Sequence, residues 1–243
     1  MIKEYKSRVI EFSDYFTSTG ILARTLKLEM PMDFSFLPGQ FVMIASPKIR
    51  NRVHLEQLRW ASMSIASTPL DKGFIELGMD VGEGGGVRHY VCKRLQKEEE
   101  MLVRGPFGRF VMQGIEQEPV FIALGTGITP IMSMIRALLK SGEKKAIKLF
   151  YSIKNSDFFL FGKELEDYAK KFPNFELFVT VTRDAENWGG QRGRLQEHLE
   201  NHDFGEKAGK SFFICGSPKG VIEIIDFLKG LGFRAEQIKK EQW

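Results

Sequence analysis

The feature that most limits the fold of this chain is the stretch Phe121-Ile122-Ala123-Leu124-Gly125-Thr126-Gly127-Ile128-Thr129-Pro130 and the apolar series after it. The short apolar run from Val120 suits a buried parallel strand, and Ile131, Met134, Ile135, Leu138 and Leu139 then recur at helical spacing. Gly125 and Gly127 permit a tight turn in which backbone N–H groups approach an anion, and Pro130 suits a first helical turn, where its missing donor is not needed. The natural guest of such a corner is a pyrophosphate. Because Pro130 stands where the dinucleotide fingerprint has its third glycine, a strand-turn-helix corner with no ligand fits the same residues.

From this corner onward the pattern alternates. Strands at 120–124, 146–151, 175–181 and 211–215 are separated by helices at 130–141, 162–171, 193–201 and 218–230, which predicts a doubly wound parallel sheet. Gly125, Thr182 and Cys215 then fall at the carboxyl ends of strands, where ligands of open parallel sheets lie. The first half reads differently. Segments 7–12, 21–29, 40–46, 60–66, 73–81 and 101–104 are short, apolar and bounded by turn residues, with one helix from Gly86 or Val87 to Leu95. Such spacing predicts a closed antiparallel β-barrel, and 113–119 reads as a linker. Two domains of different class are expected: a β-barrel over 1–114 and an α/β domain over 115–243.

Composition narrows the function classes. With 35 basic and 31 acidic residues the net charge is +4 and no long single-sign block occurs, so nucleic-acid binding is neither demanded nor excluded. Cys92 and Cys215 stand far apart, so no iron–sulfur cluster or structural zinc site is expected. His198 and His202 have helical i, i+4 spacing but no accompanying zinc-protease motif, and read as a solvated helix end. Neither an apolar signal core nor an 18-residue uncharged apolar run is present, so a cytoplasmic soluble protein is the default.

In the barrel half, Met63-Ser64-Ile65-Ala66-Ser67 ends a strand, and Gly82-Glu83-Gly84-Gly85-Gly86 precedes the helix. Hydroxyls at a strand end can address a planar ring, and glycines before a helix make a second phosphate cradle. A plain strand end and a glycine hairpin fit equally well.

Taken with Gly105-Pro106-Phe107-Gly108, Gly125-Thr126-Gly127-Ile128-Thr129-Pro130, Cys215-Gly216-Ser217-Pro218 and Glu241-Gln242-Trp243, the chain resembles the ferredoxin-NADP reductase superfamily of flavoproteins. The resemblance implies an FAD-binding barrel, an NAD(P)-binding domain, hydride exchange between nicotinamide and flavin, and one-electron exchange with a separate carrier, ferredoxin or flavodoxin. It puts Met63 where the family has a ring-stacking tyrosine, Ser64 near flavin N5, and Ile65, Ala66 and Ser67 along the flavin-binding strand. Gly85, Gly86 and Val87 match the approach to the FAD diphosphate. The family's arginine is Ala61 here, leaving Arg59 or Arg88 to hold that diphosphate, with Arg88 preferred.

The same resemblance assigns Gly125, Thr126, Gly127, Thr129 and Gly216 to the nicotinamide nucleotide. Thr182, Arg183 and Arg192 (or Arg194) match the adenosine side and favour NADP over NAD, although Asp184 beside them suits NAD. It places Cys215 near the reactive nicotinamide carbon, Glu241 in a proton relay, and Trp243 over the flavin as a gate. Lys48, Arg50 and Arg52 suit either an acidic carrier or an ordinary solvated loop. Alternative functions are the reductase component of an oxygenase, a flavin or ferric reductase, or a nucleotide-sensing electron-transfer subunit of a larger complex.

Overall fold

The computed structural model describes residues 3–18, 20–51, 53–54, 56–82, 85–114, 117–183 and 188–242. The chain divides into two compact units, Met1–Met112 with Met132–Ala137, and Gln113–Ile131 with Leu138–Trp243.

The first unit is a nearly closed antiparallel barrel. Its elements are β1 (Glu4–Thr17), β2 (Gly20–Glu29), β3 (Phe41–Ala45), β4 (Ala61–Ser64), β5 (Phe74–Asp80), α1 (Val87–Lys93) and β6 (Glu100–Phe107), and the strand order is β4-β3-β6-β1-β2-β5. An isolated bridge between Ile65 and Leu77 joins the two outer strands. Alternating residues such as Val9, Leu26, Leu28, Val42, Ile44, Leu77 and Val103 fill the interior. β1 runs five residues beyond the expected 7–12 at its carboxyl end, because β2 continues to pair with it past register shifts at Val9/Glu11 and Tyr15/Phe16. Its polar extension carries Asp14, which binds the buried Arg24 through two hydrogen bonds of 2.5 and 2.9 Å. Arg24 also donates to the carbonyls of Val91 and Leu95 at 2.6 and 3.3 Å, satisfying acceptors at the end of α1.

The second unit is a six-stranded parallel sheet in the order β10-β9-β8-β7-β11-β12. Its elements are β7 (Glu118–Leu124), α2 (Ile128–Ser141), β8 (Ile147–Ile153), α3 (Gly162–Lys171), β9 (Phe175–Val181), β10 (Gln191–Arg192), α4 (Leu195–Glu200), β11 (Lys210–Gly216), α5 (Pro218–Gly230) and β12 (Ile238–Gln242). The sheet grows outward from β7 in one direction and then, after α4, from β11 in the other. Right-handed crossovers therefore put α2 and α3 on one face and α5 on the other. The cluster of Ile122, Phe150, Leu199, Phe212, Val221 and Ile224 is the core of the α4–α5 side. The order reverses between β7 and β11, a topological switch point. Among the described residues no helix is long and apolar enough to cross a membrane.

Two strands were not expected, the two-residue β10, which pairs with the end of β9, and β12. β12 pairs in register with β11 from Phe212 opposite Ile238 to Gly216 opposite Gln242. Its sequence, Ile-Lys-Lys-Glu-Gln, lacks the apolar run of a buried strand because it lies at the sheet edge, where lysines discourage further pairing.

Candidate functional site

In the first unit, β3 holds β4 so that Val42 faces Met63 and Phe41 faces Ser64. Met63 is packed into the barrel core, and Ile65, Ala66 and Ser67 are buried behind it. The Ser64 hydroxyl makes no hydrogen bond among the described residues.

The two candidate arginines have different surroundings. Arg88 is bound to Asp80 at 2.6 Å, and its guanidinium lies against Gly82. Arg59 has its backbone amide fixed to the Ile49 carbonyl at 3.1 Å, while its side chain has no ion pair or hydrogen bond among the described residues. Its guanidinium rests beside Gly86, the residue preceding α1, where a Cβ would stand 3.0 Å from Cζ and 3.1 Å from Nη2. Gly85 has φ +67°. Arg59 with Gly85, Gly86 and Val87 thus brings an uncommitted guanidinium against bare backbone, an arrangement that suits an anion. Lys48 is bound to Glu99 at 2.6 Å, so its charge is partly neutralised, and Arg52 lies outside the described residues.

In the second unit, Gly125 turns the chain with φ +59° and a single 3-10 turn, Gly125–Gly127, leads into α2. A Cβ on Gly127 would stand 2.1 Å from the Cys215 carbonyl oxygen, so only glycine lets this turn sit at the switch point beside Cys215 and Gly216. Thr126 flanks the turn half-buried, and Thr129 is buried in the first turn of α2. Phe158, which no sequence signal singled out, lies 3.7 Å from the position of a Cβ on Gly125.

Cys215 and Glu241 are register partners on β11 and β12. Burial, and secondarily the Glu241 carboxyl, push the Cys215 thiol well above its ordinary range. It is a neutral thiol at physiological pH rather than a nucleophile. Burial raises the Glu241 carboxyl from 4.5 to about 7, and its Oε2 is buried without a hydrogen-bond partner among the described residues.

Further along the same strand ends, Thr182 and Arg183 follow β9, their amides bound to the carbonyls of Ile153 and Lys154 at 2.9 and 2.8 Å. Both are exposed. Arg192, on β10, donates to the Trp188 carbonyl at 3.0 Å, and the Trp188 ring meets Phe159 edge to face at 5.8 Å. Arg194 directly precedes α4. Asp184 and Trp243 lie outside the described residues.

These features fit two nucleotides, one per unit: a guanidinium against Gly86 in the first, and in the second a glycine turn beside a buried carboxyl oxygen, neither of them with a partner among the described residues. Comparison with known proteins agrees. Residues 16–112 match the oxidoreductase FAD-binding domain family and residues 121–226 the oxidoreductase NAD-binding domain family. The chain is 29% identical over 222 residues to the phenol hydroxylase P5 protein of Acinetobacter pittii, covering 90% of this chain and 59% of that one. It is 28% identical over 218 residues to ferredoxin-NADP reductase B of Sorangium cellulosum, covering 86% of each. A crystal structure of a ferredoxin NADP+ reductase from Neisseria gonorrhoeae with bound FAD and NADP shares the fold, with a TM-score of 0.83 at 19% identity over 99% of this chain and 98% of that one. Fold and domain matches together define a two-domain oxidoreductase that binds FAD in its barrel and a nicotinamide nucleotide on its parallel sheet. The chain belongs to the ferredoxin-NADP reductase superfamily.

Proposed function

We propose that this chain is an NAD(P)H-dependent FAD reductase that passes single electrons to a separate carrier, ferredoxin or flavodoxin. The observation that supports it most is the pairing of Cys215 with a buried Glu241 carboxyl whose Oε2 has no partner among the described residues, at the strand ends beside the Gly125–Gly127 turn. Bound FAD supplies the chemistry that no side chain here can, taking up an electron pair as hydride and releasing electrons one at a time.

The chain's residues bind and orient. Arg59 holds the FAD diphosphate together with the backbone of Gly85, Gly86 and Val87, and Arg88 is left to Asp80. Ser64 offers its hydroxyl to the ring, with Met63, Ile65, Ala66 and Ser67 forming the strand behind it. Gly125, Thr126, Gly127, Thr129 and Gly216 receive the nicotinamide nucleotide, and Thr182, Arg183 and Arg192 read its adenosine side, favouring a 2′-phosphate. Cys215 orients the nicotinamide as a neutral thiol. Glu241, raised to about 7, holds or releases a proton near physiological pH, and Trp243 covers the flavin until nicotinamide displaces it.

A second reading, reductase component of an oxygenase, draws on the likeness to the phenol hydroxylase P5 protein, of whose length this chain spans 59%. The test is stopped-flow reduction of the FAD-loaded chain by NADH and by NADPH, followed by candidate carriers. A chain that stays colourless with FAD, or that transfers nothing to an artificial acceptor, refutes both readings. Reoxidation by an oxygenase component but not by ferredoxin or flavodoxin selects the second.

A further inference from the structure

Residues Met132–Ala137 of α2 belong to the first compact unit, and two of their side chains hold the strand end that carries Ser64. Ser133 Oγ donates to the Ser67 carbonyl at 2.7 Å. Arg136 Nη1 donates to the Ala66 carbonyl at 2.9 Å and to Glu76 Oε2 at 2.5 Å, with Arg136 and Glu76 both buried. Glu76 returns to the same segment through its backbone, accepting from the Ala66 amide at 2.7 Å and donating to Ser67 Oγ at 3.0 Å.

One group of this segment is left over. The Ile65 amide donates to the Gln40 carbonyl at 3.0 Å. The Ser67 amide, two residues on in the bend after β4, makes no hydrogen bond among the described residues, although Ser67 is only 1% exposed. Buried amides without an acceptor are rare, and this one belongs to the peptide whose carbonyl receives the Arg136 guanidinium. In a trans peptide the N–H points away from the C=O, so a cation bound to the oxygen makes the N–H a stronger donor.

We propose that Arg136 is a positioning residue which, through the Ala66–Ser67 peptide, strengthens the Ser67 N–H as a donor to bound FAD and raises the flavin's reduction potential, with Glu76 tempering the charge. This rests on the reading that residues 63–67 address the flavin. A reduced flavin carries more negative charge than an oxidised one, so a stronger donor favours the reduced form. Removing the guanidinium lowers the potential, and removing the Glu76 charge raises it.

The experiment measures the midpoint potential of the FAD-loaded protein by equilibration with a reference dye, and its affinity for oxidised FAD by flavin fluorescence. Arg136→Gln is expected to reduce the preference for reduced over oxidised FAD by about tenfold, a downward shift of about 30 mV for a two-electron couple. Glu76→Gln is expected to shift the potential upward, Arg136→Lys to fall between wild type and Arg136→Gln, and Ser133→Ala, which keeps the charge, to leave it in place. Opposite shifts from the two charge removals are not what loosened packing produces. If Arg136→Gln does not fold, Glu76→Gln and Arg136→Lys decide. Unchanged potentials, or shifts of the same sign from Arg136→Gln and Glu76→Gln, overturn the inference while leaving the flavin reading intact. A wild-type protein that takes up no FAD overturns both.

Discussion

Replacing Glu241 with glutamine tests whether this carboxyl is held in its uncharged form by the fold. Burial raises it from 4.5 to about 7, and one pKa unit corresponds to about 1.4 kcal/mol, so full transfer of the shift is worth about 3 kcal/mol. The side chain is partly open to solvent, and screening reduces the expected effect to about 1–2 kcal/mol. Folded protein holds the proton more tightly than unfolded chain. Below about 4.5 both states are protonated and the group contributes nothing to the pH dependence. As pH rises to about 7 the unfolded chain ionises first, so stability falls, and above about 7 the whole penalty is present. Glutamine is neutral throughout. Calorimetry of wild type and Glu241→Gln at pH 4.5, 6 and 8, following the transition of the parallel-sheet unit, should show the variant gaining about 1–2 kcal/mol on wild type between the lowest and highest pH. At this chain length that is a few degrees in Tm. The Cys215 thiol, kept neutral by burial and by Glu241, does not titrate in this range. A gap between the two proteins that is constant with pH would refute the reasoning.

Other outcomes follow from the same geometry. Arg59→Ala should weaken FAD binding about 10- to 100-fold, the loss of one charge-assisted contact, while Arg88→Ala changes it little; flavin fluorescence titration giving the reverse order would show that Arg88 holds the diphosphate. Gly127→Ala puts a methyl 2.1 Å from the Cys215 carbonyl, so it should cost about 1–3 kcal/mol in thermal unfolding and abolish NADPH binding; a variant with wild-type melting and affinity would contradict the close approach. Arg24→Ala strands Asp14 and the carbonyls of Val91 and Leu95, and should destabilise the barrel by about 3–5 kcal/mol in denaturant titration, with less than 1 kcal/mol counting against it. Arg183→Ala should raise the Kd for NADPH about tenfold and spare NADH; equal losses for both nucleotides would remove Arg183 from 2′-phosphate recognition.

Much of the architecture could be read from periodicity, because both sheets follow strong local rules. The run Phe121-Ile122-Ala123-Leu124 is apolar on both faces, as a central parallel strand must be, and β2 and β5 of the barrel are bounded by turn residues that end them clearly. What escaped depended on partners distant in sequence. β12 is polar at Lys239, Lys240, Glu241 and Gln242 and is a strand because β11 pairs with it. The far end of β1 is carried by Asp14, which is strand-like only once Arg24 faces it. The bond between Arg88 and Asp80, which bears on the choice between Arg59 and Arg88, was likewise not legible in the sequence. Ser133 and Arg136 sit inside a helix that is otherwise mostly buried, which is the one signal the sequence offers for them, while their acceptors lie far away at Ala66, Ser67 and Glu76.

The discontinuity of the first unit bears on how the protein can be dissected. A fragment cut at the linker after Met112 would contain every barrel strand yet lack Ser133 and Arg136, which lie twenty or more positions downstream. Its Glu76 would lose both its Arg136 partner and the helix segment packed over it, keeping Lys27, its register partner on β2, as a neighbouring cation. Grafting the six residues back as part of a short helix, rather than moving the cut along the linker, is what an independently expressed barrel would require.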